Sequence, residues 1–295
     1  SVLGGGVLLI VSVIYKAITG TEMFDTAFFG GNGTATLEII TYHTLALGFI
    51  AGFTGEDIEQ LLAEMGISAE FIKLKEGLSR INVKLYSDMG TSNEETEING
   101  RGPEISNADI EKLYAKLDVL TTEDILVLAG SIPVTIPNHI YMCIMKRLQG
   151  RGIRIVVDAT GELLKNVLPY HPFLIKPNHH ELGELFGVGI RDKKDAIFYA
   201  KKLQEQGAGN VLVSMAGEGA VFVGEDGSVH QMEAPKGVVK NSVGAGDSMV
   251  AGFLAGYLKH GDYEKAFRMG TCAGSASAFS DALATEQEVL ALLDH

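Results

Sequence analysis

Cysteine, basic charge and long apolar runs are all scarce in this chain. Its 295 residues include two cysteines, Cys143 and Cys272, far apart and without metal-ligand spacing. That excludes a disulfide scaffold and a thiolate metal cluster, and it predicts two reduced, buried thiols in a cytoplasmic protein. Lysine and arginine number 24 against 37 aspartates and glutamates, a formal net charge of −13. Nucleic-acid binders need a basic footprint to neutralise phosphates, so general nucleic-acid binding is excluded. The same deficit requires a site for anionic substrates to concentrate its few cations locally. The apolar run Val7 to Ile14 is far shorter than the ~20 residues that cross a bilayer. No basic segment precedes it, so it is expected to be a buried strand and not a signal peptide or membrane anchor. No internal repeat or long low-complexity linker occurs. The early "GGNG", Gly30 to Gly33, lacks the G-x-G-x-x-G and later acidic residue of a dinucleotide-binding oxidoreductase.

The composition, 46% hydrophobic and 21% charged, is that of a globular protein with a sizeable core. From Ile125 onward, short Val/Ile/Leu runs alternate with helical patterns. "DILVLAGS", "RIVVDAT", "FLIKPN" and "NVLVSM" read as strands. Helices are expected over Pro137 to Gly150, Gly161 to Leu168, Asn178 to Phe186 and Lys193 to Gln206. "GAVFVG" and "SVHQME" flank Glu225-Asp226-Gly227, a hairpin signal. Three helical segments close the chain, the last opened by Thr285 and Glu288 at capping-box spacing. Continuous strands separated by helices imply an α/β fold with a mainly parallel sheet covered on both faces. Length alone allows one large domain or two smaller ones, and one domain spanning residues 1–295 is expected. Ligands of such sheets sit beyond the carboxyl ends of the strands. That places Ser131, Asp158, Lys176, Asn178 and Ser214 near one edge. Arg80 to Asn99 differs: "INVKLY" and "ETEIN" alternate around a polar tip and read as a projecting β-hairpin.

Chemistry concentrates in "NSVGAGDSMVAGF", Asn241 to Phe253. Gly244 and Gly246 permit a tight turn and close approach of a ligand. The helix that starts there offers unpaired backbone N–H groups and a positive dipole end, an anion hole without lysine. Asp247, in the first turn, is expected to be held ionised by that end, or else merely to cap the helix. A carboxylate beside an anion hole can take the proton of a hydroxyl whose oxygen then attacks a phosphoryl group. In "KPNHHELGELF", Asn178 and Glu181 have the spacing of a helix cap, or organise water around a metal–nucleotide phosphate. His179 and His180 are adjacent, which is not a chelating geometry on a helix. Gly217 and Gly219 in "SMAGEGAVFV" allow backbone approach to a nucleotide, or punctuate a hairpin. Arg80, Lys84 and Arg101 flank the hairpin, either as receivers of a substrate phosphate or as solvated strand charges.

Together "KPNHHEL", "SMAGEGA" and "VGAGDSMVAGFLAG" resemble the Asn-x-x-Glu, Ser-x-Gly-x-x-Gly and Gly-Ala-Gly-Asp signatures of the PfkB carbohydrate kinases. These belong to the ribokinase-like superfamily, and the resemblance runs from about Leu45 onward. "SRINVKL", "ETEINGRGPEIS" and "LAGSIP" are most similar to the branch acting on fructose 1-phosphate, with tagatose-6-phosphate kinases as near relatives. The resemblance implies a three-layer α/β/α sandwich with a β lid, formed by about 80–101 and part of the N-terminal region. It implies ATP- and Mg²⁺-dependent phosphorylation of the 6-hydroxyl of fructose 1-phosphate. By position, Asp247 is then the base, and the amides of Gly244, Ala245 and Gly246 line the anion hole. Asn178 and Glu181 serve the Mg²⁺ through water, while Lys176, Asn178, Ser214, Gly217 and Gly219 face ATP. Arg80, Ser131 and Gly31 meet the sugar phosphate, and lids of two copies pair in a homodimer. The first 45 residues depart from the family's pattern. "VLLIVSVIYKAI" lacks the sugar-binding aspartate, and in "GGNGTATLEI" Asn32 replaces a lysine with no asparagine at the expected place. Phosphorylation of tagatose 6-phosphate or fructose 6-phosphate, and non-catalytic sugar-phosphate binding, remain alternatives.

Overall fold

The computed structural model describes residues 8–17, 41–87, 94–130, 132 and 136–294. They form two compact units, one ending at Ile140 and the other beginning at Tyr141.

In the first unit, β1 (Leu8–Ala17) takes up the early apolar run and pairs antiparallel with both β2 (Thr41–Ala51) and β7 (Ile125–Ala129). The short strands β3 (Ser68–Ala69) and β4 (Ile72–Leu74) run parallel to β2. Between them, α1 (Gly52–Glu64) packs Ile58 against Ala46, Ile50 and Phe71. The hairpin signal holds: β5 (Asn82–Ser87) and β6 (Glu94–Asn99) pair antiparallel, from Asn82 opposite Asn99 to Ser87 opposite Glu94. After it, α2 (Asn107–Leu117) starts at a Ser106–Asp109 capping box and buries Ile110, Leu113 and Leu117, one helical stripe.

The second unit begins one residue into α3 (Ile140–Leu148), a helix that starts later than Pro137, after a turn that Ile140 N closes on Pro137 O. Three strands follow in parallel, β8 (Arg154–Val157), β9 (Leu174–Ile175) and β10 (Asn210–Ser214), with the crossovers that parallel pairing demands. The crossover helices are α4 (Gly161–Val167), then α5 (His179–Phe186) and α6 (Lys193–Glu205). The next two strands, β11 (Ala220–Val223) and β12 (Val229–Met232), add antiparallel, since their connections are too short for a crossover. The hairpin turn lies where Glu225-Asp226-Gly227 predicts it. Val156, Leu174, Ile175, Val211, Leu212 and Val213 are fully buried, as continuous apolar strands covered on both faces must be.

Two long helices, α7 (Ala245–His260) and α8 (Tyr263–Phe279), pack face to face, and α9 (Glu286–Leu293) ends the described chain. Their closeness is set by small residues: a methyl on Gly252 would stand 2.6 Å from Ala273 Cβ and 2.8 Å from Met269 O. The Thr285–Glu288 capping box forms as predicted. Cys272 is buried and Cys143 half-buried, and both are free thiols. Among the described residues no helix is long and apolar enough to cross a membrane.

Candidate active site

Parallel pairing of β8, β9 and β10 brings their carboxyl ends to one edge of the second unit. The residues that follow therefore converge, although their sequence positions are far apart. Asp158 follows β8 and Lys176 follows β9, and Lys176 Nζ lies 3.3 Å from Asp158 Oδ1. Their side chains are only 17% and 8% exposed respectively, Lys176 the more buried. Next to them, Asn178 bridges to Ser214 at the end of β10. Asn178 also opens α5: its Oδ1 accepts from Glu181 N at 2.9 Å, and its own N donates to Glu181 Oε2 at 2.8 Å. The capping function of this pair is thus fully realised.

The chain enters α7 through Gly244, which sits at φ 78° and is the N-cap. The positive φ favours glycine there; a methyl would also stand 2.6 Å from Leu283 Cδ2, a contact that the exposed leucine side chain can relieve by moving. A methyl on Gly246 would lie 3.1 Å from Lys176 Nζ, so the ammonium sits directly against the first turn of α7. The sequence leads one to expect an anion hole without a lysine, whereas Lys176 stands beside the amides and positive dipole end of α7. The same turn carries Asp247. At N3 of α7 it enters no capping box, unlike Glu181 in α5 and Glu288 in α9.

Electrostatics at Asp247 run opposite to what the helix end alone predicts. Its carboxyl is raised above the ordinary carboxylate range, first by desolvation and then by the negative charge of Asp158, with Lys176 opposing. The side chain is nevertheless open to solvent. A carboxyl whose tip is reached by water is still desolvated when protein surrounds it on its other sides. Asp158 is raised too, by burial, against the pull of Lys176. Burial and Asp158 together push the fully buried Tyr141 hydroxyl upward. A raised value suits a base, because proton transfer is most effective when the pKa approaches the working pH.

This coupling has a measurable consequence. Asp158→Asn removes the like charge and leaves Lys176 in place, which favours ionised Asp247. The acid limb of kcat/KM is expected to move to lower pH, measured on whatever activity remains. An unmoved limb would remove Asp158 from control of Asp247.

The turn after β10 separates the roles of its two glycines. Gly219 sits at φ 88°, and a methyl there would stand 2.1 Å from Met232 O, so glycine is needed for packing under β12. Gly217 faces open space, with nothing within 4 Å of a would-be methyl. Beside it Ala216 holds φ 49°, a strained conformation of the kind that clusters at functional turns. In the first unit, Arg80 is half-buried, and burial lowers its guanidinium from the ordinary value without removing its charge. Arg101 is exposed. Ser131 and Gly31 lie outside the described residues, as do Asn32 and the hairpin tip 88–93. His180 is exposed and His179 half-buried, their rings 3.9 Å apart, centroid to centroid. Sequence reasoning places Asp158 at the ligand edge but assigns it no role; its signal is a lone carboxylate ending the apolar run "RIVVD".

Comparison with known proteins identifies the family and the fold. The signature of the pfkB family of carbohydrate kinases matches residues 27–288. A Bacillus subtilis protein named 1-phosphofructokinase is 46% identical over 92% of this chain and 88% of its own length. A Bacillus licheniformis D-tagatose-1-phosphate kinase is 32% identical over 86% of this chain and 82% of its own. Among solved structures, Escherichia coli phosphofructokinase-2 in complex with substrates and products aligns with a TM-score of 0.78. That alignment covers 91% of this chain and 93% of the other at 23% identity, a likeness of fold, and the fold is the ribokinase-like one. The chain is a phosphotransferase that belongs to the pfkB family of carbohydrate kinases.

Proposed function

We propose that this enzyme transfers the γ-phosphoryl group of ATP to the 6-hydroxyl of D-fructose 1-phosphate, giving fructose 1,6-bisphosphate. The observation that carries the chemistry is Asp247, a raised carboxyl that enters no capping box and stands beside a glycine N-cap backed by Lys176. Asp247 takes the proton of the sugar hydroxyl. The freed oxygen bonds to the γ-phosphorus as the bond from that phosphorus to the bridging oxygen breaks. ADP leaves with that electron pair, and Asp247 passes its proton to water. Charge on the phosphoryl oxygens in transit is met by the amides of Ala245 and Gly246 and by Lys176.

Mg²⁺ accompanies the nucleotide in this reading. It needs only one or two protein carboxylates, because phosphates and water fill the rest of its shell. The oxygen donors here fit that demand: Glu181 uses Oε2 in the cap and keeps Oε1 for a bound water, with Asn178 beside it. When bound, the ion neutralises phosphate charge. Asn178, Ser214 and the open turn at Gly217 receive ATP. Arg80, Ser131 and Gly31 receive the sugar phosphate, and the β5–β6 hairpin is the lid and the pairing element of a homodimer. A cytoplasmic setting goes with this reading.

The similarity to a tagatose-1-phosphate kinase favours a second acceptor. Tagatose differs from fructose in configuration at C4 and leaves the same primary hydroxyl free. A coupled ADP-release assay should be run with fructose 1-phosphate, tagatose 1-phosphate, tagatose 6-phosphate and fructose 6-phosphate. The highest kcat/KM is expected for fructose 1-phosphate. Turnover of another sugar alone would reassign the acceptor, and binding of fructose 1-phosphate with no ATP consumption would support the non-catalytic alternative.

A further inference from the structure

The ion pair between Lys193 and Glu233 lies at the same strand edge as the site and has no part in the chemistry above. Its placement follows from α6. The far end of that helix reaches the start of β10 and the end of β11, where Gln204 Nε2 donates to Gly209 O and Val223 O. Its first residue, Lys193, therefore stands at the opposite edge, where β10 ends, β11 begins and β12 ends. Register agrees, because Ser214 faces Ala220 and Ala220 faces Met232. Glu233 follows Met232, and its backbone carbon would lie 2.6 Å from a methyl on Gly219, so the pair adjoins the Ala216–Glu218 turn.

Three features of the pair do not fit a purely structural strap. The lysine side chain is 14% exposed and the glutamate 86%, so the cation is fixed and the carboxylate sits in solvent. A cation in the first turn of a helix opposes the macrodipole, so Lys193 does not serve helix stability. An ion pair with so exposed a partner adds little to folding. The neighbouring carboxylates are occupied elsewhere: Asp192 caps α6 through Asp195 N, and Asp195 takes Arg191. The lysine is thus a positive charge at the ligand edge of an acidic protein, covered by one removable anion.

We propose that Lys193 is a nucleotide-binding residue whose ammonium receives an ATP phosphate oxygen, with Glu233 as a placeholder that swings outward when the phosphate arrives. This rests on the reading that ATP occupies the Ser214–Gly219 turn. The test is calorimetric titration of a non-hydrolysable ATP analogue with Mg²⁺, without sugar, into wild type and the variants K193M, K193R and E233Q, together with KM for ATP. K193M is expected to weaken analogue binding about tenfold, the loss of one charge-assisted contact, and to raise KM for ATP more than it lowers kcat. K193R should keep most of the affinity. E233Q should tighten binding, because the competing carboxylate is gone. A structural strap would weaken binding in both K193M and E233Q, and that result overturns the proposal, as does an E233Q variant that fails to tighten. Wild-type protein that binds no analogue would instead refute the reading of the nucleotide site itself.

Discussion

Asp247→Asn is expected to lower kcat by ~10²–10⁴-fold, the usual contribution of a positioned general base, and at neutral pH to raise the thermal midpoint. The two effects share one cause. Asp247 is raised in the folded state, while in the unfolded chain it titrates at about 3.9. Between those values the folded protein binds the extra proton, so stability falls as pH rises through that window. Above the folded value the cost of ionising Asp247, reduced by solvent screening because the residue is exposed, is present, and the amide removes it. The stability advantage should therefore vanish below the unfolded value. Steady-state kinetics and thermal melts across pH read both effects. Undiminished kcat would place the base elsewhere.

Lys176→Met is expected to destabilise the protein by about 3–5 kcal/mol, because breaking a buried pair leaves an uncompensated charge. The stranded group is Asp158, 17% exposed and already raised by burial. Two controls separate this cause from lost packing. Lowering the pH through the raised Asp158 value neutralises the stranded carboxylate, so the deficit should shrink in acid. Adding Asp158→Asn should recover part of the loss, a coupling that a double-mutant cycle measures. Denaturant unfolding of the four proteins provides it. Strict additivity would mean that the pair contributes nothing beyond its separate side chains. Activity should fall as well, since Lys176 sits against Gly246.

Features governed by neighbours along the chain are legible in the sequence itself. The Asn178–Glu181 and Thr285–Glu288 caps, the turn at Glu225-Asp226-Gly227, the β5–β6 pairing and the glycine entry to α7 are all settled within a few residues. So is the fold class, because runs such as "ILVLA" and "NVLVS" admit burial on both faces. What escapes a reading of the sequence depends on contacts that only the sheet creates. Asp158 and Lys176 meet because β8 and β9 run side by side, and spacing along the chain carries no trace of it. The direction of the Asp247 shift escapes for the same reason: the helix end is local, whereas Asp158 and the surrounding protein are not. Lys193 meets Glu233 forty positions away, through the order of β10, β11 and β12. Gly219 is needed for the backbone of β12, a partner that lies beyond its own turn. At Gly31 and Ser131 the sugar side rests on resemblance alone.

The most direct test of Asp247 as the base in phosphorylation of fructose 1-phosphate is phosphorus NMR of the products. Wild type and Asp247→Asn should be incubated side by side with fructose 1-phosphate, ATP and Mg²⁺. The predicted result is a new phosphoryl signal on C6 with wild type and its near absence with the variant. Equal formation of the bisphosphate by both proteins would contradict the account, as would wild type that binds ATP yet never phosphorylates C6.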